Sequence, residues 1–170
     1  MQVKIFFSKK LFLVSGILFF ISQVAILIIL FSAAPAMEIF WQQTTFSTDE
    51  FQAIFSNWGP ENIRIFLFHY YLDFIHPLLY AVFLSCCIFW AWPKNNKTWL
   101  LVFPIVTAIT DEIENLCQLP INLNWLPVNS IWFYIGAASS RIKWIFAGFT
   151  LVAIGTGLLW TSISKRNTDY

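Results

Sequence analysis

Long apolar stretches constrain the fold of this chain more than any other feature of its sequence. Four of them lie at residues 11–31, 63–92, 99–119 and 144–163, and each approaches or exceeds the roughly 20 apolar residues with which an α-helix crosses a bilayer. The first stretch is longer than the roughly 7–15 apolar residues of a signal-peptide core, so we expect it to be retained as a span. The sequence therefore predicts an all-α fold, a four-helix transmembrane bundle that forms a single integral membrane domain over residues 1–170.

The composition supports this class of protein and excludes two others. Only 11% of the 170 residues are charged and 58% are hydrophobic, whereas a soluble domain has about 25% charged residues. A soluble chain of this length could not cover its surface with so few charges. The formal net charge is +1 and the sequence contains no basic patch, so we expect membrane lipids as partners and no nucleic acid.

The distribution of lysine and arginine predicts the orientation of the bundle. If four spans alternate, seven basic residues lie on the side of both termini and three lie on the opposite side. Basic residues accumulate on the cytoplasmic side of membrane proteins, so both termini are predicted to be cytoplasmic. The seven are Lys4, Lys9, Lys10, Lys94, Lys97, Lys165 and Arg166, and the three are Arg64, Arg141 and Lys143.

The connection between the first two spans carries a helix signal of its own. Ser47 and Glu50 have the spacing of a capping box, and apolar residues then recur at helical spacing until Gly59-Pro60. These apolar residues are Phe51, Ile54, Phe55 and Trp58. The pattern predicts a short interfacial helix at about residues 48–57 in the first outer loop. For residues 131–140 the pattern leaves open whether they extend the last span.

Ionisable residues inside the second and third spans require an explanation. An Asp or Glu at the centre of a lipid-facing helix costs about 2.5–3.5 kcal/mol, so we expect most of these acids to face the interior of the bundle. Helical periodicity places His69, Asp73, His76 and Tyr80 on one face of the second span. It places Thr107, Asp111, Glu114, Asn115 and Gln118 on one face of the third. Gln23 of the first span lies at a compatible depth, and Glu112 lies outside the site.

The second and third spans are predicted to be antiparallel neighbours, because only the short segment 93–97 joins them. Pairing outward from this turn sets Tyr80 opposite Asp111. The same pairing sets His76 near Glu114 and Asn115, and Asp73 near Gln118. Both polar faces are therefore expected to meet in the outer half of the bilayer.

Two motifs in these spans resemble those of known proteins. They are Asp73 with Pro77-x-x-Tyr80 on the second span, and Asp111-x-x-Glu114-Asn115 on the third. The pair resembles motifs of a group of small bacterial four-helix membrane proteins, and the resemblance covers the first three spans. It implies a bacterial inner membrane as the location and implies no particular activity. Glu114 followed by Gln118-Leu119-Pro120 also resembles the EXPERA proteins, which include sterol isomerases and sterol or lipid binders.

The polar residues predict a pocket that binds a lipophilic small molecule such as a lipid, a sterol-like compound or an isoprenoid. Isomerisation by proton transfer needs only a positioned acid and base, and here Glu114 or Asp111 would donate the proton that His76 or Asp73 accepts. The predicted catalytic residues are Asp73, His76, Asp111 and Glu114. The predicted ligand-binding residues are His69, Tyr80, Asn115, Gln118 and Gln23. The sequence leaves open whether the protein is an enzyme and whether it uses a cofactor.

Three alternative functions fit the same residues. Asp73-x-x-His76 and Asp111-x-x-Glu114 together offer one nitrogen and three carboxylates, enough for a single metal ion. Intramembrane carboxylates and histidines also mark the pathways of proton-linked carriers, although four spans without an inverted repeat would require a homo-oligomer for transport. Finally, polar pairs can simply hold helices together in a structural subunit, at about 0.6–2 kcal/mol for each interhelical hydrogen bond.

Overall fold

The computed structural model describes residues 8–93 and 97–166, with side chains up to residue 164. Every regular element in this part of the chain is helical, so the predicted all-α class is confirmed. The elements are α1 (Lys9–Ala33), α2 (Ala36–Thr44), α3 (Thr48–Phe68), α4 (Tyr70–Asp73), α5 (His76–Ala91), a 3-10 turn (Thr98–Leu101), α6 (Val102–Asn122) and α7 (Ile131–Arg166). Most of the predicted turn at 93–97, and the basic residues Lys4 and Lys94, lie outside the described residues.

Within the described ranges, two helices are long and apolar enough to cross a membrane, namely α1 and the Ile131–Ser164 part of α7. α1 begins where the Ser8 hydroxyl accepts a hydrogen bond from the Leu11 amide at 3.1 Å, and it ends two residues before Pro35. α7 is continuous from Ile131, so residues 131–140 do extend the last helix. At about 1.5 Å per residue, this helix is longer than the roughly 30 Å hydrocarbon core of a bilayer.

The second predicted span, residues 63–92, is broken rather than continuous. Thr48–Asp73 and His76–Ala91 meet at a bend of 51°, and the two parts together pass the length and hydropathy requirements for a span. Pro77 provides the physical reason, because it lacks an amide hydrogen and its ring clashes with the carbonyl four residues earlier. That carbonyl belongs to Asp73, and it accepts a hydrogen bond from the Asn115 side chain at 3.2 Å instead.

A helix is present at residues 48–57, where the sequence predicts one, but it is the first part of α3, which does not end at residue 57. Ser47 caps it by accepting a hydrogen bond from the Glu50 amide at 3.2 Å, as the sequence predicts. Gly59 then adopts φ 72° and ψ 167° and kinks the chain, which continues as helix to Phe68. Phe51 and Trp58 are buried against the protein, and the Trp58 indole donates to the Glu38 carboxylate at 2.7 Å.

Packing among the helices leaves a space on one side of the bundle. α6 and α7 pack along each other, and α5 packs on both of them. α1 packs mainly on α5 and α3, while α2 packs on α7 and α3. An apolar cluster of Ile88, Leu100 and Ala153 closes the end of the bundle near the 3-10 turn. α1 and α7 border this space, but each packs mainly on other helices: α1 on α5 and α3, and α7 on α6.

Candidate functional site

A lysine and two carboxylates form an ion-paired centre between α6 and α7. Lys143 Nζ of α7 lies 2.9 Å from Asp111 Oδ1 and 2.5 Å from Glu114 Oε2. The Tyr80 hydroxyl of α5 donates a hydrogen bond to Asp111 Oδ2 at 3.0 Å. We call these four residues the lysine–carboxylate centre. Glu114 is 1% exposed, Asp111 5% and Lys143 9%, so these charged groups are almost completely removed from solvent.

Helix geometry explains how the centre is assembled. Asp111 and Glu114 are three residues apart on α6, and side chains at this spacing lie on the same helix face. Because α7 packs along that face, Lys143 reaches both carboxylates. Their attraction offsets the cost of desolvating the charges only while all partners are present, and removing one partner of a buried ion pair costs about 3–5 kcal/mol. The centre therefore also fixes α5, α6 and α7 relative to one another.

Asp73 lies near the centre, and within the described part of the chain it forms no ion pair with a lysine or arginine. His69 Nε2 lies 3.9 Å from Asp73 Oδ2, which is too long for a hydrogen bond. The other ring nitrogen of His69 makes a short contact with the Phe66 carbonyl oxygen. Asp73 and His69 both line a cavity between α1 and α7, so the Asp73 carboxylate is placed to meet a molecule inside it.

His76 contacts α1, and among the described residues no hydrogen bond joins it to Glu114 or Asn115. Its Nδ1 lies 2.8 Å from the Ser22 hydroxyl and its Nε2 lies 3.2 Å from Gln23 Oε1. The imidazole ring also stacks on Phe19, with ring centroids 5.5 Å apart. The break before α5 rotates His76 toward α1, which a continuous helix would not do. Both ring nitrogens are engaged, so His76 ties α5 to α1.

The amide side chains of Asn115 and Gln118 donate hydrogen bonds to backbone carbonyl oxygens, and neither side chain lines the cavity. Asn115 donates to the Asp73 carbonyl, so it is Asn115, and not the predicted Gln118, that contacts Asp73. Gln118 Nε2 donates to the Gln43 carbonyl oxygen of α2 at 3.1 Å. Arg141 Nε adds a bond of 2.9 Å to the Thr44 carbonyl oxygen. Together these bonds attach α2 to α6 and α7.

The cavity has a volume of about 520 Å³ and combines apolar walls with a polar base. This volume is within the range of roughly 300–1,000 Å³ that is typical of small-molecule sites. The apolar walls come mainly from α1 and α2 and include Ile26, Leu27, Leu30, Phe31, Met37 and Phe40. The polar lining includes Gln23, Gln43, His69, Asp73, His76, Tyr80, Thr107, Asp111 and Lys143. A molecule in this cavity would have its apolar part along α1 and its polar part near Lys143.

The predicted site residues divide into two groups. Six of them line the cavity, and these are Gln23, His69, Asp73, His76, Tyr80 and Asp111. The other three, Glu114, Asn115 and Gln118, are buried behind the lining. Glu114 acts on the cavity only through Lys143, and Asn115 only through the backbone of Asp73. We infer that these two are positioning residues rather than residues that touch a ligand.

Lys143 is the residue that sequence reasoning missed, because it was assigned to the outer surface as one of the basic residues there. The boundary of the last helix was undetermined, so its depth could not be judged. The sequence nevertheless contains a signal for a buried cation. Several acids are predicted to face the interior of the bundle, and a buried carboxylate that stays ionised requires a cationic partner or hydrogen-bond donors. Lys143, twelve residues into α7, is that partner.

The metal hypothesis requires carboxylates and a histidine that converge on one point. The described residues contain no group of three or more His, Cys, Asp or Glu side chains placed to hold a metal ion. His76 is bound to α1, and the Lys143 ammonium group occupies the position between Asp111 and Glu114 that a cation would take. The four side chains therefore do not form the single-ion site that their spacing suggested.

No protein-family model matches this chain, and no curated protein or solved structure matches it either. The motif residues can nevertheless be placed in the structure. Pro77 interrupts the second predicted span, Tyr80 donates to Asp111, and Asn115 donates to the Asp73 carbonyl. The two motifs thus meet at one place in the bundle, beside the cavity.

Proposed function

We propose that this chain is an integral protein of the bacterial inner membrane that crosses the bilayer four times, with both termini in the cytoplasm. α1, α7 and the bent pair ending in α5 have the length and hydropathy of spans. α6 forms the fourth crossing, and the pairing of Asp111 and Glu114 with Lys143 supports its insertion. The first part of α3 lies at the outer surface. Membership in the group of small bacterial four-helix proteins is part of this proposal.

The chain binds a lipophilic small molecule in the cavity between α1 and α7. The observation that carries this proposal is the joining of apolar walls to a polar base within one space of about 520 Å³. A site with mostly apolar lining and a few fixed polar groups is typical of small-molecule binding. The apolar part of the ligand lies along Leu27 and Leu30, and its polar part faces Asp73, Asp111 and Lys143.

Acid–base conversion of the bound molecule is a second candidate function. Asp73 favours it, because its carboxylate lines the cavity without the close lysine contact that Asp111 has. In this reaction Asp73 removes a proton from one carbon of the ligand and returns it to another, so the net change is an isomerisation. Asp111 and Tyr80 orient the polar atoms of the ligand. Both ring nitrogens of His76 are hydrogen-bonded to side chains of α1, so we assign the proton transfer to Asp73.

Transport across the membrane has less support than binding. The apolar cluster of Ile88, Leu100 and Ala153 closes the cytoplasmic end of the bundle, and the Trp92 indole donates to the Ala153 carbonyl oxygen at 3.0 Å beside it. In the part of the chain that the structure describes, the cavity therefore leads only into the outer half of the bundle.

The binding proposal is tested by lipid mass spectrometry of protein extracted in a mild detergent. Ala147 lines the cavity, so Ala147→Phe fills part of it. We expect wild-type protein to carry a near-stoichiometric lipophile and Ala147→Phe to carry several-fold less. Val152→Phe is the matched control, because Val152 lies on the same helix and is 63% exposed. Equal occupancy in both variants, or wild-type protein without a bound lipophile, would overturn the proposal.

A further inference from the structure

Lys143 has hydrogen-bonding capacity that the protein does not use. An ammonium group has three N–H donors. One donates a hydrogen bond to Asp111 Oδ1 at 2.9 Å, and the close ion pair with Glu114 Oε2 engages a second. Among the described residues no hydrogen-bond acceptor is found for the third N–H. The Trp144 ring lies beside the ammonium group, with its centroid 5.5 Å from Nζ. Lys143 is 9% exposed and lines the cavity, so this donor is available to a ligand and hardly to bulk water.

The charges around the cavity decide which polar group suits this donor. An anionic group would approach Lys143 beside Asp111 and Asp73, and like charges at short range in a buried site repel strongly. A cationic group would be repelled by the Lys143 ammonium group of the same cavity, and both carboxylate oxygens of Asp111 already accept hydrogen bonds. A neutral acceptor oxygen adds no buried charge and satisfies the unused N–H. Burying a polar group is favourable only when it is hydrogen-bonded.

We propose that the ligand is a lipophilic carbonyl compound, a ketone, aldehyde or quinone, whose carbonyl oxygen accepts the third N–H of Lys143. This inference rests on the proposed binding function and specifies the chemical class of the ligand. Asp73, on the same cavity, then faces the carbon atoms beside the carbonyl. Proton removal next to a carbonyl is the reaction that such a pair of groups promotes, because the N–H donor stabilises the negative charge that develops on oxygen.

The walls of the cavity indicate that this ligand arrives from the lipid phase. Its rim is formed by exposed apolar side chains, with Phe31 of α1 59% exposed and Trp144 of α7 50% exposed. On the outer side α2 covers the cavity, attached through its Gln43 and Thr44 carbonyl oxygens. A molecule that partitions into the bilayer can pass between α1 and α7 without crossing a polar surface.

The experiment uses the full chain in phosphatidylcholine vesicles and three probes of matched chain length. The probes are methyl tetradecyl ketone, hexadecane and hexadecylamine. We expect the ketone to bind at least about tenfold more tightly than hexadecane, which corresponds to about 1.4 kcal/mol. We also expect infrared spectroscopy of the ketone, isotopically labelled at its carbonyl carbon, to show the carbonyl band at lower frequency when bound than in vesicles alone.

Variants of the lysine–carboxylate centre provide the control for folding. Lys143→Met alone leaves two buried carboxylates unpaired, so the informative variant combines it with Asp111→Asn and Glu114→Gln, which keeps the centre neutral. We expect this variant to lose the infrared shift and Lys143→Arg to retain one. Lys97→Met, at an exposed position outside the cavity, should leave the shift unchanged.

The outcomes separate this inference from the binding proposal. Stronger binding of hexadecylamine than of the ketone, equal binding of all three probes, or an infrared shift that persists in the neutral variant would each overturn the carbonyl assignment. In these three cases the binding proposal still stands, because a lipophile occupies the cavity. If none of the probes binds and none displaces a copurified lipophile, both proposals fail.

Discussion

At the scale of single residues, Lys143 determines what the polar centre is. Its ammonium group holds Asp111 and Glu114, and Tyr80 completes the hydrogen bonding of Asp111. A set of acids that would repel one another thereby becomes a paired network on three helices. Such networks are strongly destabilised when one member is removed, because the remaining charges stay buried and unpaired.

We expect Lys143→Met to destabilise the folded protein by about 3–5 kcal/mol. Combination with Asp111→Asn and Glu114→Gln should recover most of this loss, because no unpaired charge then remains. The measurement is thermal unfolding in detergent, with Lys97→Met as the control at an exposed lysine. A single variant as stable as wild type would show that the ion pairs do not hold the bundle together.

His76 makes a different contribution, which we expect to be structural. His76→Phe removes the contacts to Ser22 and Gln23 and retains an aromatic ring against Phe19. At about 0.6–2 kcal/mol for each interhelical hydrogen bond, the loss of stability should be about 1–3 kcal/mol. The variant should keep its bound lipophile, as measured by mass spectrometry. Unchanged stability together with loss of the lipophile would instead assign His76 to ligand binding.

At the scale of helices, the break between α4 and α5 positions the cavity lining. Pro77 prevents the hydrogen bond that would continue the helix through the Asp73 carbonyl, and Asn115 of α6 satisfies that carbonyl instead. Broken helices occur within membranes only where neighbouring groups compensate the freed backbone. The rotation at the break turns His76 toward α1 and leaves Asp73 facing the cavity.

A double-mutant cycle tests this compensation. Asn115→Leu should cost about 1–3 kcal/mol, because the buried Asp73 carbonyl oxygen loses its donor. In a Pro77→Ala background the same substitution should cost clearly less, since the backbone amide of the introduced alanine can supply the missing hydrogen bond. The measurement is the free energy of unfolding of the four proteins of the cycle. Strictly additive effects would contradict the proposed link between Pro77 and Asn115.

Two glycines of α7 offer a matched test of helix packing. A Cβ atom at Gly157 would lie 2.5 Å from Trp92 Nε1 and 2.8 Å from Ala91 Cβ, whereas one at Gly155 would meet nothing within 4 Å. We expect Gly157→Ala to cost about 1–3 kcal/mol through overpacking. Gly155→Ala should be neutral or stabilising by up to about 1 kcal/mol, the helix propensity difference. Thermal unfolding of both variants checks this, and equal effects would contradict the close approach of α5 and α7.

At the scale of the whole molecule, the proposed four-crossing arrangement fixes where the termini lie. An even number of crossings places both termini on one side, and the excess of lysine and arginine makes that side the cytoplasm. The excess of basic residues on the side of the termini increases when burial is considered. Lys143 is buried in the lysine–carboxylate centre and no longer counts among the basic residues of the outer side.

We therefore expect a green fluorescent protein fused to either terminus to be fluorescent when the chain is expressed in bacteria, because this reporter folds in the cytoplasm. Green fluorescent protein inserted after Trp125, in the loop before α7, should not be fluorescent. Alkaline phosphatase inserted at the same position should be active. Opposite behaviour of the two termini would mean an odd number of crossings and would exclude the proposed arrangement.

The sequence predicted some contacts of the site and did not predict others. The proximity of Tyr80 and Asp111 followed from helical periodicity and the short connection between two neighbouring spans, and it is confirmed at 3.0 Å. The hydrogen bonds of His76 to α1 did not follow from the pairing of the second and third spans, because that pairing assumed a continuous second span. The contacts of Lys143 with Asp111 and Glu114 were not predicted, since they depend on where α7 begins and on the rotation of α7 relative to α6.

Residue types and their local spacing were enough to predict the all-helical class, the helix that begins after Ser47 and the need for the acids of the second and third spans to avoid lipid. These properties follow from the type and local spacing of residues, through the cost of placing polar groups in hydrocarbon. Three features are visible only in the tertiary structure. They are the pairing of Asp111 and Glu114 with Lys143, the hydrogen bond from Asn115 to the Asp73 carbonyl, and the cavity. Each of these depends on the rotation and register of helices distant in the chain, which no local pattern specifies.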